Sequence, residues 1–178
     1  MVRVVEDAKS HFPSETWAEI RYLGKLRLEH DIKIALSKDT HKRSFGALLS
    51  EKLIKRINKV KDSDGLMSLI LGVTPDPIVA MHYFLDGGSF KRVLYLVHDY
   101  VTEKVGIVSL FRVRENDSTR VVAHGLGHNR GLRHHMKPID LMYSELLKTS
   151  MLQVEGFCKV CRNKLESDIN EVARKLEE

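Results

Sequence analysis

Four of the chain's nine histidines fall within twelve positions, His124-Gly125-Leu126-Gly127-His128-Asn129-Arg130-Gly131-Leu132-Arg133-His134-His135. Residues four apart on a helix project from one side, a turn apart, so His124 and His128 can hold one metal ion between them. Gly131 stands where such a helix would stop. Glycine accepts the left-handed C-cap conformation without steric cost, and the reversed chain can then return His134 to the same ion. Three neutral imidazoles leave a fourth position open, which is the arrangement of a reactive zinc site and not of a closed structural one. A lone i, i+4 histidine pair would be weak grounds for this. The full pattern H-x-x-x-H-x-x-G-x-x-H is specific, because four residues must fall at set offsets. Gly125 and Gly127 each cost a helix on the order of 1 kcal/mol relative to Ala, so space near the ion matters more there than helix stability.

The elements that must position these side chains can be read from the periodicity. Asn116-Asp117-Ser118 is the expected N-cap of the helix carrying His124 and His128. Ahead of it, Val2 to Val5 reads as a short strand. Ser14 reads as the cap of a helix through Trp17, Ile20, Leu23 and Leu26, and Asp31 to Leu36 as an alternating strand. Ser44 is the expected cap of a second helix whose apolar stripe is Phe45, Leu48, Leu49, Leu53, Ile57 and Val60, ending at Asp62-Ser63-Asp64-Gly65. Leu66 to Val73, Ile78 to Leu85, Val93 to Val97 and Val105 to Val113 then read as strands. They are separated by Thr74-Pro75-Asp76-Pro77, Asp86-Gly87-Gly88 and Asp99 to Lys104. A helical stretch follows Met142, and Val160, Leu165, Ile169, Val172 and Leu176 form the stripe of a C-terminal helix. The reading is one compact α/β (α+β) domain over residues 1–178, with the middle of the chain forming a sheet.

The bulk properties fit that reading. A chain of 178 residues that is 43% hydrophobic can build a core. The net charge of +5 is spread along the chain, and the row Lys52, Lys55, Arg56 and Lys59 reads as a solvated helix face, so nucleic acid is not the expected partner. No apolar run approaches the roughly 20 residues of a membrane span, and the N-terminus lacks the apolar segment of a signal peptide. The expected location is cytoplasmic. Both cysteines, Cys158 and Cys161, lie in one C-x-x-C, which in a reducing compartment points to metal ligation or redox exchange before a structural disulfide.

From His124 to Cys161 the sequence resembles the metzincins, and in particular the archaemetzincins. With a looser match in the preceding order of helices and strands, the resemblance covers about the C-terminal two-thirds of the chain. In that family the first histidine is followed by a general-base Glu, and the third by a Cys. A second Cys, one intervening residue, the Met of the Met-turn and a C-x-x-C come after. The matching positions here hold Gly125, His135, Asp140, Met142, Cys158 and Cys161. Both departures from Cys are to another type of zinc ligand. The resemblance therefore implies a second, closed zinc site of His135, Asp140, Cys158 and Cys161, which pins the C-terminal helix in place and makes two zinc ions in all. The competing reading is a reduced or redox-active C-x-x-C beside an exposed His135.

The same resemblance implies a mixed twisted sheet of about four to five strands with backing helices, an active-site helix, a Met-turn and a C-terminal helix. Residues 1–117 would form the helix-and-sheet upper part and 118–178 the metal-binding part. Met142 would be the apolar floor beneath the first ion, and Tyr143 either reaches the ion or a ligand or is simply packed. Val93 to Val97 or Val105 to Val113 would supply the edge along which a peptide lies. Glycine at 125 can neither take nor deliver a proton, a contribution typically worth about 10² to 10⁴ in rate. Three functional readings follow. One is a zinc-binding metallopeptidase-like protein without efficient conventional peptidase activity. Another is a non-catalytic module binding a peptide or small carboxylate at the open zinc. The third is a metal-dependent hydrolase using a displaced carboxylate, with Asp99, Glu115 and Glu145 as candidates, or a base supplied by the substrate.

Overall fold

The computed structural model describes residues 2–16, 21–28, 33–38, 43–63, 69–102, 104–144, 146 and 154–167. The chain divides into two compact units, Lys25–Arg112 and a unit that joins Met1–Gly24 to Val113–Glu178. Sequence order does not display this second grouping, which brings the two ends of the chain together.

The unit Lys25–Arg112 holds β1 (Lys33–Lys38), β2 (Arg43–Leu49), α2 (Ser50–Ser63), β3 (Ile70–Thr74), β4 (Ile78–Asp86), β5 (Ser89–Val97), β6 (Asp99–Thr102) and β7 (Val105–Ser109). The mixed α+β class holds. Where the sequence reading expects one sheet of four to five strands, the strands divide into two sheets, ordered β1-β2-β4-β5 and β3-β7-β6. In the first, β2 runs antiparallel to β1 and parallel to β4, and β4 runs antiparallel to β5. The Gly87-Gly88 turn closes the β4–β5 hairpin with both glycines at positive φ, as the right-handed strand twist requires of a two-residue loop. In the second sheet β7 is central, parallel to β3 and antiparallel to β6. Leu53, Ile54 and Ile57 of α2 pack with Leu48, Ile78 and Ile107 into a buried cluster.

Phe45, Leu48 and Leu49, expected on a helix from Ser44, lie instead in β2, and the helix begins six residues later at Ser50. The deciding interactions are non-local. Leu48 and Leu49 pair with Ile78 and Val79, Ser50 donates to the Val79 carbonyl at 2.9 Å, and Glu51 accepts the Met81 amide at 2.8 Å. Asp99 to Lys104, expected as a turn, contains β6, and the strand from Val105 stops at Ser109. The strand expected over Leu66 to Val73 starts at Ile70, and residues 64–68 lie outside the described ones.

The other unit is helical among its described residues: α1 (Val2–Ala8), α3 (Glu115–Asn129) and a C-terminal helix, α4, over residues 159–167. Val2 to Val5, expected as a strand, belongs to α1. Val4 and Ala8 are one helical turn apart, and α1 packs against α3 with Ala8 fully buried. Ser14–Thr16 forms only a single 3₁₀ turn. Of the helix expected after it, Trp17 and Ile20 lie outside the described residues, while Leu23 and Leu26 are exposed in irregular backbone. After Met142, Tyr143, Ser144 and Leu146 lie in turns and bridges, and the rest of that expected helix is outside the described residues. In α4, Val160 is 68% exposed while Cys161 and Leu165 point inward; Ile169, Val172 and Leu176 are not described. No helix among the described residues is long and apolar enough to cross a membrane.

Candidate metal centres

Helix α3 starts at Glu115 after an extended Arg114, with Glu115 and Asp117 in its first turn complementing the helix dipole. The expected cap, Asn116-Asp117-Ser118, therefore lies inside the helix. Ser118 instead donates to the Arg114 carbonyl at 3.2 Å. The helix buries most of its second half, from Val121 to Gly127, and His124 is 1% exposed.

Its C-terminus is a Schellman motif. Leu132 N–H donates to Gly127 O at 3.0 Å, Gly131 N–H donates to His128 O at 2.9 Å, and Gly131 sits at φ +76°. The reversal carries His134 back to the helix, where the three Nε2 atoms form a near-equilateral triangle. Its sides are 3.2 Å for His124–His128, 3.0 Å for His128–His134 and 3.1 Å for His134–His124. The opposite ring nitrogens fix the chemistry. His124 Nδ1 lies 2.5 Å from the Leu141 carbonyl and His128 Nδ1 lies 2.9 Å from the Leu132 carbonyl. A carbonyl only accepts, so each Nδ1 carries the proton and each Nε2 presents a lone pair. Lone pairs facing one another at this distance repel unless a cation lies among them. Three imidazole donors, two of them with outer carbonyl partners, fit Zn²⁺, and they leave a coordination position open.

No carboxylate joins this cluster among the described residues. Position 125 is a buried glycine. Glu115 begins the same helix nine residues before His124, roughly 13 Å back along its axis. Asp99 lies in β6 of the other unit, and Glu145 is outside the described residues. Asn129 is a residue that the spacing does not single out. It is 6% exposed, and neither atom of its amide has a hydrogen-bond partner among the described residues.

Gly127 has a different reason to be glycine than space around the ion. A Cβ there would come within 2.7 Å of Met142 Sδ and 3.2 Å of the Phe157 ring, so the missing side chain lets these two buried residues close on the helix. Gly131 is required by its positive φ.

The second group of ligand types assembles around the loop after His134. His135 N–H donates to Met142 O at 3.0 Å and Ser144 N–H donates back to His135 O at 3.0 Å, which closes the loop on itself. Leu141 N–H donates to Gly156 O at 2.9 Å, tying the loop to the segment before α4. Ligand atoms of His135, Asp140, Cys158 and Cys161 then lie within 4.8 Å of one another. His135 Nε2 stands 3.1 Å from Asp140 Oδ2, 3.7 Å from Cys158 Sγ and 3.5 Å from Cys161 Sγ. The two cysteines are free thiols.

Asp140 is fully buried, its Oδ1 accepting the Met142 amide at 2.6 Å and its Oδ2 the Cys158 amide at 2.5 Å. Burial pushes its carboxyl pKa up, but the hydrogen bonds from Cys158 and from the Met142 and Cys158 amides, with the nearby His135, outweigh this and hold it below the usual value. The Cys161 thiol is pushed up to about 12, first by burial and then by the Asp140 carboxylate and Cys158. Such a thiol gives up its proton at neutral pH only to a cation, and a set of two sulfurs, an imidazole and a carboxylate is a closed tetrahedral zinc set.

The structure of archaemetzincin from Methanopyrus kandleri is similar to this chain. The match covers 70% of this chain and 67% of that one, at 22% identity and a TM-score of 0.48. No protein-family model matches the chain, and no curated protein does.

Proposed function

We propose that this chain is a zinc-binding, archaemetzincin-like protein of metallopeptidase build, which lacks efficient peptide hydrolysis by the family's general-base route. The observation that carries the reading is the convergence of three Nε2 atoms, with the rings of His124 and His128 oriented by carbonyls at Nδ1. His124, His128 and His134 would hold the first ion. Met142 would floor it, and His135, Cys158 and Cys161 with Asp140 would hold a second, closed one. Zinc at the first site supplies Lewis acidity toward a carbonyl or carboxylate oxygen.

Gly125 has no group to accept a proton, and Glu115 is too far along α3 to replace one. An extended peptide end or a small carboxylate is the occupant this open position suits, in a protein we place in the cytoplasm.

Metal analysis of protein prepared without added metal should find close to two zinc ions per chain, and finding none would overturn the reading. Digestion of a peptide library should show little or no chelator-sensitive cleavage by the native chain, with a gain in Gly125→Glu. Robust chelator-sensitive cleavage by the native chain would overturn the loss of activity.

A further inference from the structure

Away from both clusters, a cavity of about 130 Å³ opens between the N-terminal arm and α4, lined by Ser10, His11, Phe12, Pro13, Arg162 and Glu166. Its walls are held from both sides. Phe12 packs edge-on against Phe157 with centroids 4.7 Å apart, which fixes the arm, and Arg162 Nε donates to the Phe157 carbonyl at 3.0 Å, which fixes the guanidinium. Arg162 Nη2 and His11 Nδ1 converge on Gly156: a Cβ on that residue would lie 3.5 Å from the first and 3.9 Å from the second.

The guanidinium lacks a counter-charge. Among the described residues no carboxylate comes within ion-pair distance of Arg162, although Glu166 also lines the cavity, and the His11 ring makes no hydrogen bond. Arg120 adds further positive potential here, softened by its contact with Asp117 at 3.4 Å. The imidazole registers this environment: burial first, then the charges of Arg120 and Arg162, lowers its pKa.

We infer that this cavity is a binding site for one tetrahedral oxyanion, phosphate or the phosphoryl group of a phosphomonoester. A guanidinium fixed at Nε still presents its outer N–H groups to two oxygens of such an anion, and an imidazole can bond a third. The volume is room for a phosphate group. Bound there, the anion joins the N-terminal arm to the residue that follows Cys161.

The test uses the full zinc-loaded chain titrated with inorganic phosphate and, separately, phenyl phosphate, followed by calorimetry and by the His11 ring resonances at fixed pH. Expected are saturable 1:1 binding, a shift of the His11 signals, and affinity weakened about tenfold in Arg162→Gln and less in Arg162→Lys. His11→Asn gives the same direction of loss should Arg162→Gln fold poorly. Tighter binding of the inorganic ion identifies a free anion as the natural occupant, and tighter binding of the ester identifies a phosphomonoester. His128→Ala, which removes a ligand of the first cluster, should bind phosphate unchanged. Binding lost in His128→Ala but kept in Arg162→Gln would put the anion on the open metal and overturn the inference. Absence of saturable binding at millimolar phosphate, with protein that is folded by circular dichroism, would overturn it too.

Discussion

At His134 and His135, consecutive residues turn to different clusters, and the two clusters are set up on different terms. In the first, two Nδ1 atoms face carbonyls and the three Nε2 atoms share a common centre. In the second, His135 Nδ1 lies 3.1 Å from the Lys137 amide, and its Nε2 faces Asp140 Oδ2 at 3.1 Å and both cysteine sulfurs. The first cluster is a prearranged ligand set on a helix and its cap. The second is a network of ligand-type side chains that ties a loop to α4.

The two are also joined. Asp140 organises the second cluster, while the carbonyl of the next residue, Leu141, orients His124 of the first. The lesson is one of division: a site made for access to ligand stands on a rigid helix, beside a site whose contribution is to hold chain segments together.

The largest expected effect tests that division. Replacing Cys158 and Cys161 together by Ser should cost the zinc-loaded protein on the order of 3 kcal/mol or more, read by calorimetric unfolding, because only the second cluster joins separate segments. An equal loss in His128→Ala would erase the distinction.

Asp140→Ala should come next, at about 3 kcal/mol, since it strands the amides of Met142 and Cys158. It should also lower cobalt occupancy of the histidine cluster, read from the ligand-field spectrum, with partial recovery in Asp140→Asn. Because the Asp140 pKa is lowered on folding, its stabilisation is present above the unfolded value and is lost as pH falls through the folded one. The alanine variant should accordingly show a flatter acid limb of stability against pH. An unchanged histidine site would show the clusters to be independent.

Gly127→Ala should cost about 1–2 kcal/mol, the clash with Met142 and Phe157 exceeding the gain in helix propensity. A neutral or stabilising result would show that Met142 can move aside. His128→Ala should be smallest, within about 1 kcal/mol in stability while removing one metal ion per chain by elemental analysis.

Much of the metal-binding unit was legible in the sequence because its logic is local. The i, i+4 pair, the glycine that ends the helix and the C-x-x-C each need only a few neighbouring residues, and Gly131 adopts the positive φ expected of it. The elements misread are those decided by distant partners. Leu48 and Leu49 have a helical spacing, yet the parallel pairing with Ile78 and Val79 makes them strand. Val2 to Val5 has strand composition, yet packing on α3 makes it helix. Asp99 to Lys104 reads as a break between strands, yet β7 supplies a partner that makes Asp99–Thr102 a strand. The oxyanion cavity was illegible for the same reason, as His11 and Arg162 are brought together only by the meeting of the chain's ends.

The sequence by itself determined which residues could ligate, the reversal at Gly131 and the absence of a carboxylate at position 125, since residue type and short-range helix geometry suffice for these. Tertiary structure decided which nitrogen His124 and His128 present, because that depends on the carbonyls of Leu141 and Leu132 at the far ring positions. It also decided that Gly127 serves the packing of Met142 and Phe157, and that Asp140 is held ionised in a fully buried place by two amides, one of them eighteen residues away. Electrostatics and close packing act through space, and spacing along the chain records only the part of that space which one helix and its cap enclose.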